Sequence, residues 1–325
     1  MNGVVIEANG ITKTFKTYVS GKGVLGFFRR KYSTKKALDN VSFSVKEGEI
    51  VALLGKNGSG KSTLIKTMIG VLYPSSGDAR ILGLDSWSNR KTIARHIGVV
   101  MGAHGQLYTD LPALDTFELM RYVYNIPRYE FRKRLNVFIK KLNLEKVYTQ
   151  QVRTLSFGEK MKCNFVASIL HMPKIVVLDE PTVGVDISSK AALKDTIKGM
   201  QKRYKTTFFI TTHVVEDLDI AEHIIMLDEG KKIFDGTRDE LLRYFGEKRI
   251  IELHFGNEIK RSDYRKYGRI VESESNYIKL EIGKDMLRKK SFTKMISDPN
   301  IIDYSVAEEG LNTVILALYK MNKKK

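Results

Sequence analysis

The sequence is poor in cysteine, in long apolar runs and in acidic side chains. Cys163 is the single cysteine among 325 residues, which excludes an internal disulfide bond and a zinc site built from several thiolates. Apolar runs such as 175–178 and 314–318 are far shorter than the ~18 residues that a membrane-spanning helix needs. The first twenty residues include Glu7 and lack a continuous apolar stretch, so no secretory signal is expected. We therefore predict a cytoplasmic protein.

Acidic residues are outnumbered, because 55 Lys and Arg stand against 37 Asp and Glu, a formal net charge of +18. This excess favours an anionic neighbour, and charge alone leaves nucleotide, nucleic acid and lipid headgroups open. At roughly 100 to 200 residues per domain, the length predicts two or three units. A composition break near Gly246 separates a large domain, 1–246, from a small α+β accessory domain, 247–325. In the accessory domain we predict three strands, over 250–255, 277–282 and 313–318, and one helix, over 285–296.

The large domain alternates strands and helices, as in a parallel α/β sheet. Residues 50–54 are apolar throughout, as expected for a strand covered on both faces, and a helix is predicted over 62–72. Apolar residues then recur at helical spacing over 112–171. Further strands are predicted over 175–178, 207–211 and 224–227.

A glycine-rich loop joins the buried strand to the first helix. It matches G-x-x-x-x-G-K-[ST] and consists of Gly55, Lys56, Asn57, Gly58, Ser59, Gly60, Lys61 and Ser62, followed by Thr63. Glycines allow successive backbone N–H groups to point at phosphate oxygens, and the helix N-terminus adds partial positive charge. Lys61 is expected to reach the β- and γ-phosphates and Ser62 to bind Mg²⁺. Because the flanking strand and helix fit this motif, we favour an ATP site over a chance glycine turn.

The strand at 175–178 ends in two carboxylates, Asp179 and Glu180. Asp179 fits a residue that orients Mg²⁺ through water, and Glu180 fits a base that polarises an attacking water. The alternative is an acidic pair that caps the next helix. Because Asp179 and Glu180 occur together with a phosphate loop in the same chain, we favour the catalytic interpretation.

Several further motifs follow in a fixed order. They are Phe15 after an N-terminal strand, the loop Leu155-Ser156-Phe157-Gly158-Glu159, the loop from Pro181 to Asp186, and His213 after a strand. Together with the phosphate loop, these motifs resemble the nucleotide-binding subunit of an ATP-binding cassette (ABC) transporter over residues 4–246. The resemblance implies an ABC ATPase core, with a parallel sheet that carries the phosphate loop, an antiparallel β subdomain and a helical subdomain over about 112–171.

The same resemblance implies roles for individual residues. Lys61, Glu180 and His213 would be catalytic, and Phe15 would stack on adenine. Ser156, the backbone at Gly158 and Asp186 would contact nucleotide in a head-to-tail dimer around two ATP, formed with a second copy or another ABC subunit. Taken alone, Phe15 also fits a core aromatic residue, and His213 fits a histidine satisfied by its neighbours.

Two positions depart from the family pattern. Phe157 replaces the first glycine of the signature loop, which predicts an altered rate rather than lost activity. The family's metal-sensing glutamine is expected at residue 102 or 103, where this chain has Gly102 and Ala103. Gln106 in a shifted loop, water or His104 are the alternatives for this role.

The stretches 105–112 and 117–119 look most like the exporter branch whose separate permeases are of the ABC-2 type. A partner permease would then bind the chain at the cytoplasmic face of the cell membrane. The cargo would contact that partner, and it leaves almost no trace in this sequence.

A basic insertion covers about residues 17–36. Eight Lys or Arg and no acid lie between Lys13 and Lys36, with the apolar cluster 24–28 among them. This composition is typical of a segment that binds anionic headgroups, here through residues 20–32, and the alternative is a solvated loop.

Two other functions compete with transport. A cassette ATPase that acts on nucleic acid or ribosomes would suit the charge, but such relatives usually carry two cassettes or a long coiled coil, so a nucleic-acid partner is not favoured. A regulatory cassette without turnover is disfavoured by Glu180 and His213.

Overall fold

The computed structural model describes residues 3–19, 31–102, 105–245 and 248–308, together with residues 315, 318, 319 and 322. The chain divides into two compact units, Met1–Gly236 and Thr237–Lys325. The division falls before the composition break near Gly246, because helix α7 (Arg238–Phe245) belongs to the second unit.

The described part of the first unit contains strands and helices in alternation. Its strands are β1 (Val4–Val19), β2 (Lys31–Lys46), β3 (Ile50–Gly55), β4 (Ser76–Ile81), β5 (Leu84–Asp85), β6 (Ile97–Met101), β7 (Ile175–Asp179), β8 (Thr207–Thr212), β9 (His223–Asp228) and β10 (Lys231–Thr237). Its α-helices are α1 (Lys61–Met68), α2 (Arg90–Ala94), α3 (Ala113–Val123), α4 (Arg128–Lys141), α5 (Phe157–Ile169) and α6 (Ile187–Tyr204).

These strands form two sheets. Strands β6, β7, β8, β3 and β9 run parallel in a six-stranded sheet with the order β10-β9-β3-β8-β7-β6. A four-stranded sheet has the order β2-β1-β4-β5, and its pairs are antiparallel. The predicted α/β fold with an antiparallel β subdomain is therefore confirmed.

The parallel sheet is covered on both faces. Its strands are continuous apolar runs, and successive side chains along each strand point to opposite faces. On one face, Val176 and Phe208 join a core that includes Phe117, Phe131 and Phe165 of the helices from α3 to α5. On the other face, Val177 and Phe209 join a core shared with the antiparallel sheet and α1. This double burial fixes the strand ends that carry the polar motifs.

Two local predictions need correction in length. Helix α1 ends at Met68 rather than at residue 72, because Gly70 takes a left-handed conformation with φ 73° that ends the helix. Strand β1 continues to Val19, where it pairs with Lys31 of β2, so both ends of the predicted basic insertion are arms of a long hairpin. Residues 20–30, which include the apolar cluster, lie outside the described residues.

The second unit contains an antiparallel sheet packed against short helices. Its further elements are β11 (Lys248–Phe255), β12 (Arg269–Glu274), β13 (Tyr277–Gly283), α8 (Lys290–Ile296) and β14 (Ile301–Glu308), and the sheet order is β12-β13-β11-β14. Ile251, Leu253 and Phe255 of β11 form the centre of its core.

The strand predicted over 313–318 is wrong. Ile315, Leu318 and Tyr319 are helical and buried. These residues follow the i, i+3, i+4 spacing of one helix face, so the apolar run suits a buried helix, and a short run by itself does not distinguish the two structures. Strands β12 and β14 were not predicted.

Candidate active site

The glycine-rich loop leaves β3 and enters α1 in a conformation that its glycines make accessible. All six residues of β3 are buried. A Cβ added at Gly55 would lie 2.3 Å from Ser59 Oγ, and one added at Gly60 would lie 2.7 Å from the Ala37 carbonyl oxygen. Gly60 also has φ 109°, which L residues rarely adopt. The loop therefore depends on these glycines for its close backbone packing.

Lys61 is held at the first turn of α1 with its ammonium group turned toward the loop. The side chain is 5% exposed, and Nζ donates to the carbonyl oxygens of Gly55 at 2.7 Å and Lys56 at 3.3 Å. Nζ also lies 3.1 Å from Glu180 Oε1. A buried cation is therefore poised beside the loop where a phosphate group would need positive charge.

The carboxyl ends of three parallel strands bring a hydroxyl and a carboxylate together beside Lys61. Ser62 Oγ donates to Asp179 Oδ2 at 3.1 Å. Thr211 at the end of β8 donates to Asp179 Oδ1 at 2.6 Å and accepts the backbone N–H of Glu180 at 3.0 Å. Thr211 was not predicted as a site residue. It lies in the strand before His213, and a polar residue in a buried strand could have indicated a functional role.

Glu180 connects Lys61 to His213. His213 Nδ1 lies 3.2 Å from Glu180 Oε2, while the other carboxylate oxygen faces Lys61. The backbone of Glu180 is left-handed with φ 53°, a conformation of a kind that concentrates at functional sites. Both side chains are partly exposed at 27% and 35%, so water can reach the carboxylate.

A cleft of about 560 Å³ opens beside these groups. Of the predicted residues, the cleft is lined by Phe15, Asn57, Gly58, Gly60, Lys61, Ser62, Thr63 and Glu180. Sequence reasoning missed further lining residues, namely Lys35, Lys36, Ala37, Glu229 and Gly230. The two lysines had been counted with the basic insertion, and the turn at 229–230 carried no distinctive signal.

Ser59 supplies an independent observation on this loop. Its Oγ is buried and has no hydrogen-bond partner among the described residues. Buried hydroxyls are normally paired, so an unpaired one in a phosphate loop fits an oxygen-rich ligand that would accept its hydrogen.

Ser156, Gly158 and Asp186 lie at two other helix N-termini and do not line the cleft. Ser156 caps α5, and Asp186 caps α6 by accepting the N–H of Ser189 at 2.9 Å. A Cβ at Gly158 would lie 3.0 Å from Asp186 Oδ2, so the two loops touch. The hydrogen bond from the Ser188 hydroxyl, together with the Ser189 N–H, lowers the pKa of Asp186.

The side chain of Gln106 contacts the preceding strand, β6. Its Nε2 donates to the carbonyl oxygen of Val99 at 2.9 Å, and its backbone N–H donates to Asn164 Oδ1 at 2.8 Å. It does not line the cleft, and a metal role for Gln106 stays a prediction. Residues 103–104, which include the alternative His104, lie outside the described residues.

A buried polar network behind the loop 181–186 was also missed. Asp217 Oδ2 accepts hydrogen bonds from the hydroxyls of Thr182 and Thr212, and Asp217 Oδ1 lies 3.4 Å from Lys194 Nζ. This network ties the loop after Glu180 to the end of β8, so it fixes the backbone on both sides of the Glu180–His213 pair.

Comparison with known proteins identifies this arrangement. The family model described as ABC transporter matches residues 38–183. The linearmycin resistance ATP-binding protein LnrL of Bacillus subtilis (strain 168) is 30% identical over 226 residues, covering 69% of this chain and 72% of that protein. The chain belongs to the ABC transporter family.

Other relatives of this ABC protein agree. The daunorubicin resistance ATP-binding protein DrrA3 of Streptomyces coeruleorubidus is 30% identical, covering 68% of this chain and 70% of that protein. A solved dimeric ATP-binding cassette in a post-hydrolysis state, bound to ADP and Pi, has a TM-score of 0.62 at 25% identity, covering 71% of this chain and 98% of its own. The chain is thus an ATP-binding subunit of an ABC transporter and an ATPase.

The matched family segment lies within the first unit of this ABC protein. In the described part of the chain, no helix is both long and apolar enough to cross a membrane.

Proposed function

We propose that this ABC subunit hydrolyses ATP at the cleft beside the phosphate loop and couples that reaction to export through a separate membrane permease. The observation that carries the proposal is the chain of contacts from Lys61 through Glu180 to His213, next to the Ser62–Asp179 pair. These groups come from strands and a helix far apart in sequence, so their convergence favours a common chemical role.

The described residues suit ATP with Mg²⁺. Lys61 supplies positive charge to the β- and γ-phosphates, the unpaired Ser59 hydroxyl and the loop N–H groups suit phosphate oxygens, and Phe15 offers a partly exposed ring for adenine. Ser62 Oγ and Asp179 would hold the magnesium ion, whose role when bound is to neutralise phosphate charge. Two protein ligands are sufficient for magnesium, because the ion keeps several water molecules and phosphate oxygens as its other ligands.

Glu180 would act as the general base. Its carboxylate can accept a proton from a water molecule, and His213 at 3.2 Å orients it. The ion pair with Lys61 at 3.1 Å would be exchanged for a contact between Lys61 and phosphate when nucleotide binds. Glu180 would then be released to hold the attacking water.

The cleft gains its remaining donors from a second cassette. Ser156 and the N-terminus of α5 do not line the cleft of their own subunit, so we infer that they complete the cleft of a partner in a homodimer or with another ABC subunit. A solved relative described as a dimer bound to ADP and Pi supports this assembly.

The permease partner is inferred to be of the ABC-2 type, at the cytoplasmic face of the cell membrane. Relatives named for bacitracin transport, linearmycin resistance and daunorubicin resistance support an export role. In this arrangement the first unit is the ATPase domain, and the second unit, which corresponds to the predicted accessory domain over 247–325, is outside the matched segment.

The test of the proposal is Glu180→Gln in the full chain. An amide holds water but does not accept its proton, so ATP should bind, turnover should fall about a hundredfold or more, and an association of cassettes that forms with ATP and not with ADP should accumulate. Size-exclusion chromatography with ATP and with ADP measures this. Continued turnover, or the same mass with ATP as with ADP, would contradict the proposed mechanism.

Co-purification from membranes decides between a membrane permease and a nucleic-acid partner. A polytopic membrane protein in the pull-down supports transport, whereas RNA or ribosomes would support the nucleic-acid alternative.

A contact of residues 20–32 with anionic lipid is a further part of the proposal. Phe27→Ser with Phe28→Ser should reduce co-sedimentation with anionic vesicles, and unchanged co-sedimentation would identify a solvated loop.

A further inference from the structure

Strand β14 forms one edge of the sheet in the second unit. In the described part of the chain it pairs with one strand, β11, and nothing described there bonds to its other side. The outward N–H and C=O groups of an eight-residue strand are therefore presented in a row. Such an edge is a template for pairing with a further strand.

An apolar row lies along this edge. Tyr304 and Val306, 46% and 41% exposed, share one face of the strand. Ile302, 71% exposed, follows the same alternation at the point where the pairing with β11 becomes irregular, between Asp303 and Ile301. Tyr304 and Val306 are paired with Leu253 and Ile251, which are fully buried. Because paired residues share a face of the sheet, the row extends the core face of the sheet beyond its edge.

The opposite edge of the same sheet is built differently. Strand β12 carries Arg269, Glu272 and Glu274 within its six residues, and charged side chains are a usual protection of edge strands. Strand β14 has neither Lys nor Pro, and its charges are Asp303 and Glu308. The charged edge β12 is therefore protected against pairing with a further strand, whereas the edge β14 is not.

We propose that β14 pairs antiparallel with β14 of a second copy of this chain, with Tyr304 on the two-fold axis. In this register Tyr304 faces the same residue of the second copy, and Ile302 faces Val306. Asp303 faces Ser305, so no like charges are opposed. Apolar groups meet apolar groups throughout the exposed row, and cross-strand pairs of this kind stabilise a sheet.

A second copy fits better than another occupant because the strand is self-complementary in this register. A two-fold interface requires one surface to match itself, and the alternation of residues 302–306 meets that requirement. The pairing would join two four-stranded sheets into one of eight strands and would extend their core faces across the axis. It needs no nucleotide, so it is separate from the ATP-driven dimer proposed above.

The first test is self-association of the full chain without nucleotide, by light scattering after size-exclusion chromatography. The wild type should have a mass near twice 37.1 kDa. Tyr304→Lys opposes two ammonium groups on the axis and should weaken the dimer at least about tenfold, since like charges directly opposite destabilise paired strands. The matched control is Val271→Lys, because Val271 is 52% exposed on the other edge strand.

A second variant guards against a folding artefact. Ile302→Lys changes the most exposed residue of the row and should weaken the dimer in the same direction while it keeps the far-UV circular dichroism spectrum of the wild type. If both β14 variants remain as dimeric as Val271→Lys, the proposal is overturned.

Cross-linking tests the register. Residues opposed in antiparallel strands have Cα atoms about 4.5 to 5.5 Å apart, which a disulfide can span. Tyr304→Cys should form a covalent dimer under mild oxidation without nucleotide, and Val271→Cys should not. Cys163 does not compete, because it is buried and burial raises its pKa to about 12.

A monomeric wild type without nucleotide would overturn the proposal and would assign the edge to another occupant, such as a strand of the permease or the chain segment 309–325. Equal cross-linking of both cysteine variants would also overturn it, since collision and not pairing would then explain the product.

Discussion

Two helix N-termini in the first unit, those of α1 and α5, are capped in opposite ways. Helix α1 begins after Gly60 with no side-chain cap and no acidic residue in its first turn. Helix α5 begins after Ser156 with a complete capping box, in which Glu159 Oε2 accepts the backbone N–H and the hydroxyl of Ser156, each at 2.8 Å.

The difference concerns where free donors and charge remain. The first N–H groups of α1 are left for an external acceptor, and Lys61 adds a cation beside them. At α5 the chain's own carboxylate already occupies the hydroxyl that the proposed dimer requires for ATP. One terminus is therefore ready to bind phosphate in the monomer, whereas the other must exchange an internal hydrogen bond when a second cassette arrives.

The largest expected effect comes from breaking the α1 side of this comparison. Lys61→Ala removes the buried cation and leaves Glu180 without its partner at 3.1 Å. ATP turnover should fall about a hundredfold or more, as expected when preorganised charge at phosphate is lost. Substantial hydrolysis by the purified variant, measured by phosphate release, would sink the assignment of the phosphate loop.

The next effect tests the α5 side. Ser156→Ala should lower turnover about tenfold to a hundredfold through loss of one donor, while ATP affinity of the monomer stays unchanged. Nucleotide titration at a protein concentration below dimerisation separates the two quantities. A large loss of monomer affinity would mean that Ser156 acts on its own cleft.

A smaller effect of opposite sign is expected from Glu159→Gln. Glutamine keeps the capping box, since its carbonyl oxygen can accept both Ser156 bonds, but the negative charge near the incoming phosphate is removed. At ~6 Å in water, removing one unit repulsion tightens the ATP-driven dimer about threefold. Glu159→Ala is the control, because it removes charge and cap together, and equal dimerisation of Glu159→Gln and wild type would show that the charge has no effect.

The smallest effect is on stability. Hydrogen bonds, first from the Ser188 hydroxyl, lower the pKa of Asp186, so the ionised cap stabilises the fold above the ordinary pKa and loses that contribution as pH falls toward the folded value. Asp186→Ala should lower the thermal unfolding midpoint at pH 7, and the gap from wild type should narrow below about pH 4. Asp186→Asn retains a capping side chain and serves as the control. An identical midpoint for the alanine variant and wild type at pH 7 would exclude the cap.

Motif chemistry was readable from the sequence because each motif is local. The glycines of the phosphate loop, the buried strand before Asp179 and the α/β alternation follow from short-range spacing, and the structure has them as expected. Thr211 could not be ranked in the same way, because its two hydrogen bonds depend on β8 lying beside β7. The cleft wall from Lys35 to Ala37 likewise depends on the return of the β1–β2 hairpin.

Residues 313–318 show that a local pattern can also predict the wrong type of element. The apolar run within 313–318 predicted a strand, yet Ile315 and Leu318 are buried in a helix. A short apolar run can bury itself in either structure, and packing decides which hydrogen-bond partners it finds. Strand β14 was not predicted, although Asp303 and Ser305 alternate with apolar residues as in a half-buried strand. That these apolar residues are exposed at an edge depends on the order of the strands.

The sequence by itself determined the residue types at each site, because a cation, a hydroxyl and carboxylates at fixed spacing define phosphate chemistry in any fold that exposes them. The tertiary structure decided which of these groups meet. The order β3-β8-β7 brings the ends of three distant strands to one edge of the sheet, so that Lys61, Asp179, Glu180 and His213 converge. It also separated Ser156 from that cleft, because capping hydrogen bonds hold it at the start of α5. Hydrogen bonds between strands far apart in sequence fix both outcomes, and local spacing does not encode them.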